Sequence, residues 1–429
     1  MTPGRYSVAR DAAITALGRG TGMFVSLLAG IAVARVWGPE GKGIVSFLSA
    51  GAALAARLGA LGIEAGVGHF LLVRRRDHGR CLGTIFASAS GAGAAVALVG
   101  ACVLLWRPGS IGSVPAEAVL AQLAALPASF VLFIGAYVFF AFGKALSFSV
   151  FDASYRAMLL AAVGIAALAA TTVTTLVILQ AATVVVFAIM AVAMAKRWFP
   201  GPWHVSVALL RELTAYGSRY YVYSLARCVL TYGSLLVATL TLGPAEGGIF
   251  SIAVMLGEVV LLTASSIGLS FIRPVALAED PWNRTLRFAM STLWVLPLVL
   301  LALAAVARPG IELVYGDRFL GAWPVFLLLA PGLMALGLEQ VIATLFITRG
   351  TPWRLSILVA AVSVAGVATM VLGARGGGLN GLAIATSVSQ VIAVLVIGHQ
   401  FFIARNLHVA QASEGVSGLA TVPAPTLLE

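Results

Sequence analysis

Long stretches without a charged residue restrict this chain to membrane architectures. The run from Ala157 to Ala195 has 39 residues and contains no Asp, Glu, Lys or Arg. One helical membrane crossing needs about 20 apolar residues, because each residue adds about 1.5 Å of rise. The run is therefore predicted to cross twice, with a turn at the threonine-rich segment 171–175.

The same criterion of length and charge predicts about twelve transmembrane helices in an all-α fold. Hydrophobic residues make up 60% of the chain and charged residues 10%, whereas soluble domains carry about 25% charged residues. The predicted spans are 15–36, 43–63, 83–106, 118–142, 149–170, 175–195, 217–242, 247–272, 288–307, 321–347, 353–373 and 379–402.

The distribution of Lys and Arg predicts the orientation of the chain. With the N-terminus inside, the predicted cytoplasmic segments hold 19 basic residues, the outer segments hold 6, and Arg57 and Arg227 lie within spans. Cytoplasmic loops of membrane proteins carry such an excess. We therefore expect a multi-pass protein of the bacterial inner membrane with both termini cytoplasmic. The net charge of +11 does not indicate nucleic acid, since no basic stripe interleaved with aromatic residues occurs.

A repeated segment indicates two similar halves. Residues 38–46 (GPEGKGIVS) align without gaps on residues 243–251 (GPAEGGIFS), at a constant offset of 205 and with five identities. Gly-Pro ends a helix, and the following glycine permits a turn. With six spans in each half, the repeats are predicted to share orientation and to be related by a pseudo-two-fold axis along the membrane normal, as in many transporters. The predicted domains are an N-terminal lobe (1–198), a cytoplasmic amphipathic linker (199–216), a C-terminal lobe (217–405) and a disordered cytoplasmic tail (406–429).

Several segments resemble the Wzx-type polysaccharide flippases of the multidrug/oligosaccharidyl-lipid/polysaccharide (MOP) exporter superfamily. They are 33–43 (VARVWGPEGKG), 58–63 (LGALGI), 209–213 (LLREL) with Tyr216-Gly217, and 247–253 (GGIFSIA) with Pro274. The resemblance implies a V-shaped pair of lobes that moves undecaprenyl-pyrophosphate-linked oligosaccharide to the outer leaflet, with a polysaccharide polymerase and other export components as further partners. The family often has an acidic residue in the seventh span, whereas this chain has Leu-Thr-Tyr-Gly-Ser at 230–234.

Charged residues within the predicted spans are the candidate functional residues, because a charge at a helix centre costs about 2.5–3.5 kcal/mol on insertion scales. Arg57 and Arg227 are the leading substrate contacts, since guanidinium groups bind phosphate oxygens in a bidentate way. Arg19 and Arg273 are further candidates near the inner mouth. The candidates for gating or coupling are Glu64, Glu258 and Glu339.

Charge pairing offers two hypotheses for Glu258. The repeat offset places it at the equivalent of Ala53, one helical turn from Arg57. An Arg57–Glu258 pair across a closed cleft would be replaced when a pyrophosphate binds Arg57. The alternative is a structural pair between Glu258 and Arg227 within one lobe. For Glu64, near the predicted cytoplasmic boundary, the favoured interpretation is that the side chain pairs within a lobe or extends to the membrane surface.

Two other function classes remain open. A cation-coupled multidrug exporter of the same superfamily would need a coupling carboxylate in a mainly apolar cavity. A membrane enzyme that polymerises or ligates glycans is disfavoured, because every predicted outer loop is short. The sequence contains no Walker A motif and no Cys/His cluster, so we expect a protein that is not an enzyme and has no metal or cofactor.

Overall fold

The computed structural model describes residues 5–415 except 69, 72–76, 107, 108, 110, 111, 143, 277–279, 350 and 351. Within this part every regular element is a helix, including the short 3-10 helix Asp317–Phe319. The α-helices are α1 (Arg5–Ala60), α2 (Ile63–Gly68), α3 (His78–Trp106), α4 (Ala116–Ala141), α5 (Ala145–Leu168), α6 (Val173–Trp198), α7 (Val207–Leu242), α8 (Pro244–Ala276), α9 (Pro281–Val314), α10 (Ala322–Arg349) and α11 (Trp353–Gly415).

Ten stretches of the described residues are long and apolar enough to cross a membrane. Two of them, 20–60 and 353–406, are long enough for two crossings each. Each contains a non-helical glycine where the sequence predicts a turn, Gly38 (φ 66°) in α1 and Gly378 (φ 59°) in α11. An all-helical membrane fold is thus confirmed, and the number of twelve crossings stays a prediction.

The turn predicted in the long uncharged run is present. α5 ends at Leu168, and Ala170 adopts a left-handed conformation (φ 48°). The side chain of Thr172 then accepts a hydrogen bond from the amide of Thr175 and caps α6. Threonine is favoured at this position because its hydroxyl satisfies an amide that has no partner within the helix.

The boundaries differ from the predictions around α7 and at the end of α11. Ser206 caps α7, and the helix runs without a break from Val207 to Leu242, so the predicted linker helix forms the first turns of this span. α11 continues to Gly415, and the segment 406–414 contains no glycine or proline that would end the helix earlier. The first ten residues of the predicted disordered tail are therefore helical, and residues 416–429 lie outside the described residues.

The chain divides into two compact units. Unit 1 comprises residues 1–221, 238–251 and 314–319, and unit 2 comprises residues 222–237, 252–313 and 320–429. A core cluster of unit 1 packs residues of α1, α3 and α4 around Phe130, Ile134 and Leu82. The predicted lobe boundaries and the pseudo-two-fold axis stay predictions.

The two copies of the repeated segment contact each other within unit 1. A Cβ atom added at Gly43 would meet the carbonyl group of Pro244 and lie 2.9 Å from the amide nitrogen of Gly248. A Cβ atom added at Gly248 would meet the carbonyl group of Pro39 and lie 3.1 Å from the amide nitrogen of Gly43. The contact is reciprocal, because Pro39 and Gly43 precede Pro244 and Gly248 by the same offset of 205. Only glycine permits two helix backbones to approach this closely.

Candidate functional site

The first candidate cluster surrounds Arg57 at the end of α1 in unit 1. α1 stops at Ala60, and Leu61 (φ 49°) and Gly62 (φ 79°) form a left-handed turn that starts α2. The turn brings Glu64, in the first turn of α2, back to the arginine. Nη1 of Arg57 donates to Oε1 of Glu64 at 3.2 Å. Glu64 therefore has an ion-pair partner within unit 1.

Aromatic side chains complete the surroundings of Arg57. Its guanidinium carbon lies 4.6 Å from the ring centroid of Phe133 on α4, within the range of a cation–π interaction. Tyr137, one turn further along α4, interacts with the same guanidinium group. The hydroxyl of Tyr221, in the first half of α7, donates to the backbone carbonyl of Leu58 at 2.6 Å and connects α7 to the end of α1.

The second candidate cluster surrounds Arg227 in the middle of α7, in unit 2. Nε of Arg227 lies 3.1 Å from Oε1 of Glu339 on α10. Tyr223, one turn before Arg227, donates to the same Oε1 at 2.7 Å. Ser363 on α11 donates to the carbonyl of Ala226 at 2.9 Å, so α7, α10 and α11 all support the cluster.

Both clusters have the same division of roles between the two charges. The carboxylates are buried, with 1% exposure for the Glu64 side chain and 3% for Glu339, whereas Arg57 and Arg227 retain 22% and 32%. A guanidinium group has five N–H donors. An arginine that contacts one carboxylate oxygen can therefore donate hydrogen bonds to further acceptors as well. In each cluster a buried carboxylate fixes a partly accessible arginine and offsets part of the cost of its charge in the membrane. Such an arrangement can bind phosphate oxygens at the accessible edge of the arginine.

The remaining predicted site residues are Glu258, Arg19 and Arg273. Glu258 lies on α8 and is exposed within unit 2, and both predicted pairings of Glu258 stay predictions. The partner that the structure gives Arg227 is Glu339. The side chains of Arg19 and Arg273 lie outside the described residues, and only their positions on α1 and α8 are given.

Sequence reasoning did not find the aromatic members of the two clusters. Phe133 and Tyr137 lie four residues apart on α4, and Tyr223 lies four residues before Arg227 on α7. Residues at this spacing share one face of a helix. The sequence therefore did contain a signal for these residues. It is an aromatic residue inside a span, one helical turn from another polar or aromatic residue. No cluster of three or more His, Cys, Asp or Glu occurs among the residues that the structure describes.

The fold has clear counterparts among solved structures. No protein-family model and no curated protein matches the sequence. The lipid II flippase MurJ in an inward closed conformation gives a TM-score of 0.68 at 12% identity, over 96% of this chain and 94% of that chain. The MATE multidrug transporter DinF-BH gives 0.67 at 14% identity, over 94% and 96%. An inward-facing MATE family transporter of the MOP superfamily gives 0.66 at 15% identity, over 90% and 95%.

The chain has the fold of the MOP-superfamily transporters. The fold extends over nearly the whole chain, because each of these matches covers at least 90% of it. The predicted all-α membrane fold is confirmed by this likeness. The neighbours include multidrug transporters and a lipid flippase, so the MOP fold alone does not assign a substrate to this chain.

Proposed function

We propose that the protein translocates an undecaprenyl-pyrophosphate-linked oligosaccharide across the bacterial inner membrane by alternating access. The observation that carries the proposal is the pair of arginines, Arg57 and Arg227, each partly accessible and each backed by a buried carboxylate. An exporter of cations would gain nothing from fixed positive charge, whereas a pyrophosphate needs it. The resemblance to Wzx-type flippases supports the same class of substrate, and a lipid II flippase is among the structural neighbours.

The second candidate, a cation-coupled multidrug exporter, is favoured by the MATE transporters among the structural neighbours. Of the predicted coupling carboxylates Glu64, Glu258 and Glu339, two are buried, Glu64 and Glu339. In both cases the carboxylate already faces an arginine within 3.2 Å, which opposes the binding of a second cation. We therefore rank the lipid-linked glycan first.

Reconstitution into liposomes tests the choice between these two functions. The substrate would be a polyprenyl-pyrophosphate-linked disaccharide, and transport would be measured as the fraction that an impermeant glycosidase can reach. The wild-type protein is expected to accelerate translocation of this lipid and not of a cationic dye. Transport of the dye without transport of the lipid would replace our proposal with the second candidate.

Variants then connect the function to the arginines. Arg57→Ala is expected to abolish translocation, and Arg57→Lys to restore only part of it, because an ammonium group lacks the planar bidentate geometry. The control makes the same change in another ion pair, that of Arg156 and Asp152 on α5, whose side chains lie 2.8 Å apart. Arg156→Ala, which also leaves a carboxylate without its arginine, is expected to retain translocation. Equal losses in both sets would show that the charges serve only the fold.

A further inference from the structure

A cavity of about 510 Å³ lies in unit 1 among α1, α4 and α6. Its lining includes Trp37, which directly precedes the repeated segment, and Glu40 within it. Glu117 in the first turn of α4 and the threonines at 172, 174 and 175 at the start of α6 also line it. The charge distribution of the sequence predicts that this end of the helices faces outward. Sites for small molecules have about 300–1,000 Å³ and combine apolar or aromatic walls with a few convergent polar groups. The cavity meets both criteria and is separate from the arginine clusters.

The aromatic wall of the cavity is held in place. Nε1 of Trp37 donates to the backbone carbonyl of Thr171 at 2.9 Å. The indole also packs against the buried cluster that contains Val33 and Val163. Gly41, four residues after Trp37 and beyond the break at Gly38, is needed here because a Cβ atom would meet the Trp37 side chain and lie 3.0 Å from Val173. The ring is thus a fixed, half-buried surface at the edge of the cavity.

The polar groups of the cavity are mainly acceptors. Glu40 and Glu117 are both exposed, and ionised carboxylates accept hydrogen bonds without donating them. The hydroxyls of Thr172 and Thr175 lie 3.2 Å apart and offer both donor and acceptor capacity. Two carboxylates in one cavity repel anionic ligands. The cavity therefore favours a ligand with several hydroxyl or ammonium donors.

The second copy of the repeat shows that these side chains are not required by the turn. The offset of 205 places Leu242 at the equivalent of Trp37 and Ala245 at the equivalent of Glu40. The Gly243-Pro244 turn forms without an aromatic ring or a carboxylate at these positions. Trp37 and Glu40 therefore call for an explanation other than formation of the helix turn.

We propose that this cavity binds the sugar part of the exported glycan on the outer side of the membrane, and that it takes a neutral or amino-bearing oligosaccharide. A sugar ring has an apolar C–H face, which packs on the Trp37 indole, and an edge of hydroxyls, which donate to Glu40, Glu117 and the threonine hydroxyls. The assignment rests on the proposed function, since it concerns the same substrate after its head group has crossed.

Saturation-transfer NMR on the full chain in detergent micelles tests the cavity with soluble probes. The neutral probe is the N-acetylglucosamine trimer, and the anionic probe is trigalacturonate. Saturation is expected to pass from the protein to the neutral trimer. No transfer to trigalacturonate is expected. Glu40→Ala combined with Glu117→Gln, two changes at exposed positions, should weaken binding at least about tenfold, the effect of losing hydrogen bonds to charged acceptors. Trp37→Leu, which installs the residue of the second repeat, should abolish it.

Two control variants remove the same residue types elsewhere. Glu246→Gln lies in the second copy of the repeat, and Trp294→Leu lies on the exposed face of α9. Both should bind the trimer as the wild-type protein does. Unchanged binding in the Glu40/Glu117 variant, stronger binding of trigalacturonate, or no saturation of the trimer would each overturn the proposal. Displacement of the trimer by glycerophosphoethanolamine at a concentration below that of the trimer would also overturn the proposal. It would indicate a site for a lipid head group.

The liposome assay separates failure of this inference from failure of the proposed function. Translocation of the pyrophosphate-linked disaccharide by a protein that binds no trimer would retire the cavity and leave the proposed function intact. Trimer binding that depends on Glu40 and Glu117, in a protein that translocates no glycolipid, would retire the proposed function as stated. The sugar site would then belong to another activity, and the proposal that it binds the exported glycan would be wrong.

Discussion

The reciprocal contact between Gly43 and Gly248 is the tightest feature that joins the two copies of the repeat. In Gly43→Ala the new Cβ atom would lie 2.9 Å from the amide nitrogen of Gly248, and in Gly248→Ala it would lie 3.1 Å from that of Gly43. Both Cβ atoms would also meet a proline carbonyl group, so the backbones must move apart. Overpacking of this kind costs about 1–3 kcal/mol for each change. We expect each alanine variant to lower the free energy of unfolding by that amount.

A double-mutant cycle measured by thermal unfolding in detergent tests the contact. Because one displacement of the helices accommodates both Cβ atoms, the double variant should be less destabilised than the sum of the single variants by about 1 kcal/mol or more. The matched control is Gly164→Ala in α5, where nothing lies within 4 Å of an added Cβ atom. This control should be neutral or stabilising by about 0.5–1 kcal/mol, because alanine favours a helix interior. Additive changes, or equal effects in all three variants, would refute the close approach.

Further predictions concern the buried acids and the cap of α9. Glu339→Gln removes the carboxylate that faces Arg227 and should lower the midpoint of thermal unfolding. The decrease should exceed that of Tyr223→Phe, which removes a hydrogen bond worth about 1 kcal/mol. Equal midpoints in the two variants would contradict the ion pair. The amide of Asn283 donates to Asp280 at 2.9 Å and holds the pKa of that exposed carboxyl below its usual value of 3.8. The stabilisation that the Asp280 cap gives to the folded state should be present above pH 3.8 and be lost as the pH falls through the lowered pKa. An NMR titration in which the Asp280 carboxyl has a pKa at or above 3.8 would contradict the cap.

The sequence was sufficient for most helix positions because the hydrophobic pattern and the turn residues act locally. Gly38-Pro39 and Gly243-Pro244 mark helix breaks, and the threonines at 171–175 mark the turn between α5 and α6. The start of α7 was missed because Ser206 and the amphipathic segment after it are compatible with both a separate surface helix and an extension of the span.

The partners of the charges were less predictable than their positions. Glu64 lies only seven residues from Arg57, yet the left-handed turn at Leu61-Gly62 determines whether they meet. Tyr223 and Glu339 are separated by 116 residues, and no local pattern brings α7 to α10. Intramembrane charge is visible in a sequence, whereas its partner is a property of helix packing.

Equilibrium binding of a polyprenyl pyrophosphate tests the central claim most directly. The affinity of the purified protein for this lipid would be compared with that for the uncharged polyprenol of the same length, in the wild type and in Arg57→Ala. Hydrogen bonds to a charged group are worth about 1.5–3 kcal/mol, so the preference of the wild type for the pyrophosphate should fall by about 10- to 150-fold in the variant. A preference that is absent in the wild type, or unchanged by Arg57→Ala, would contradict the assignment of Arg57 as a pyrophosphate contact.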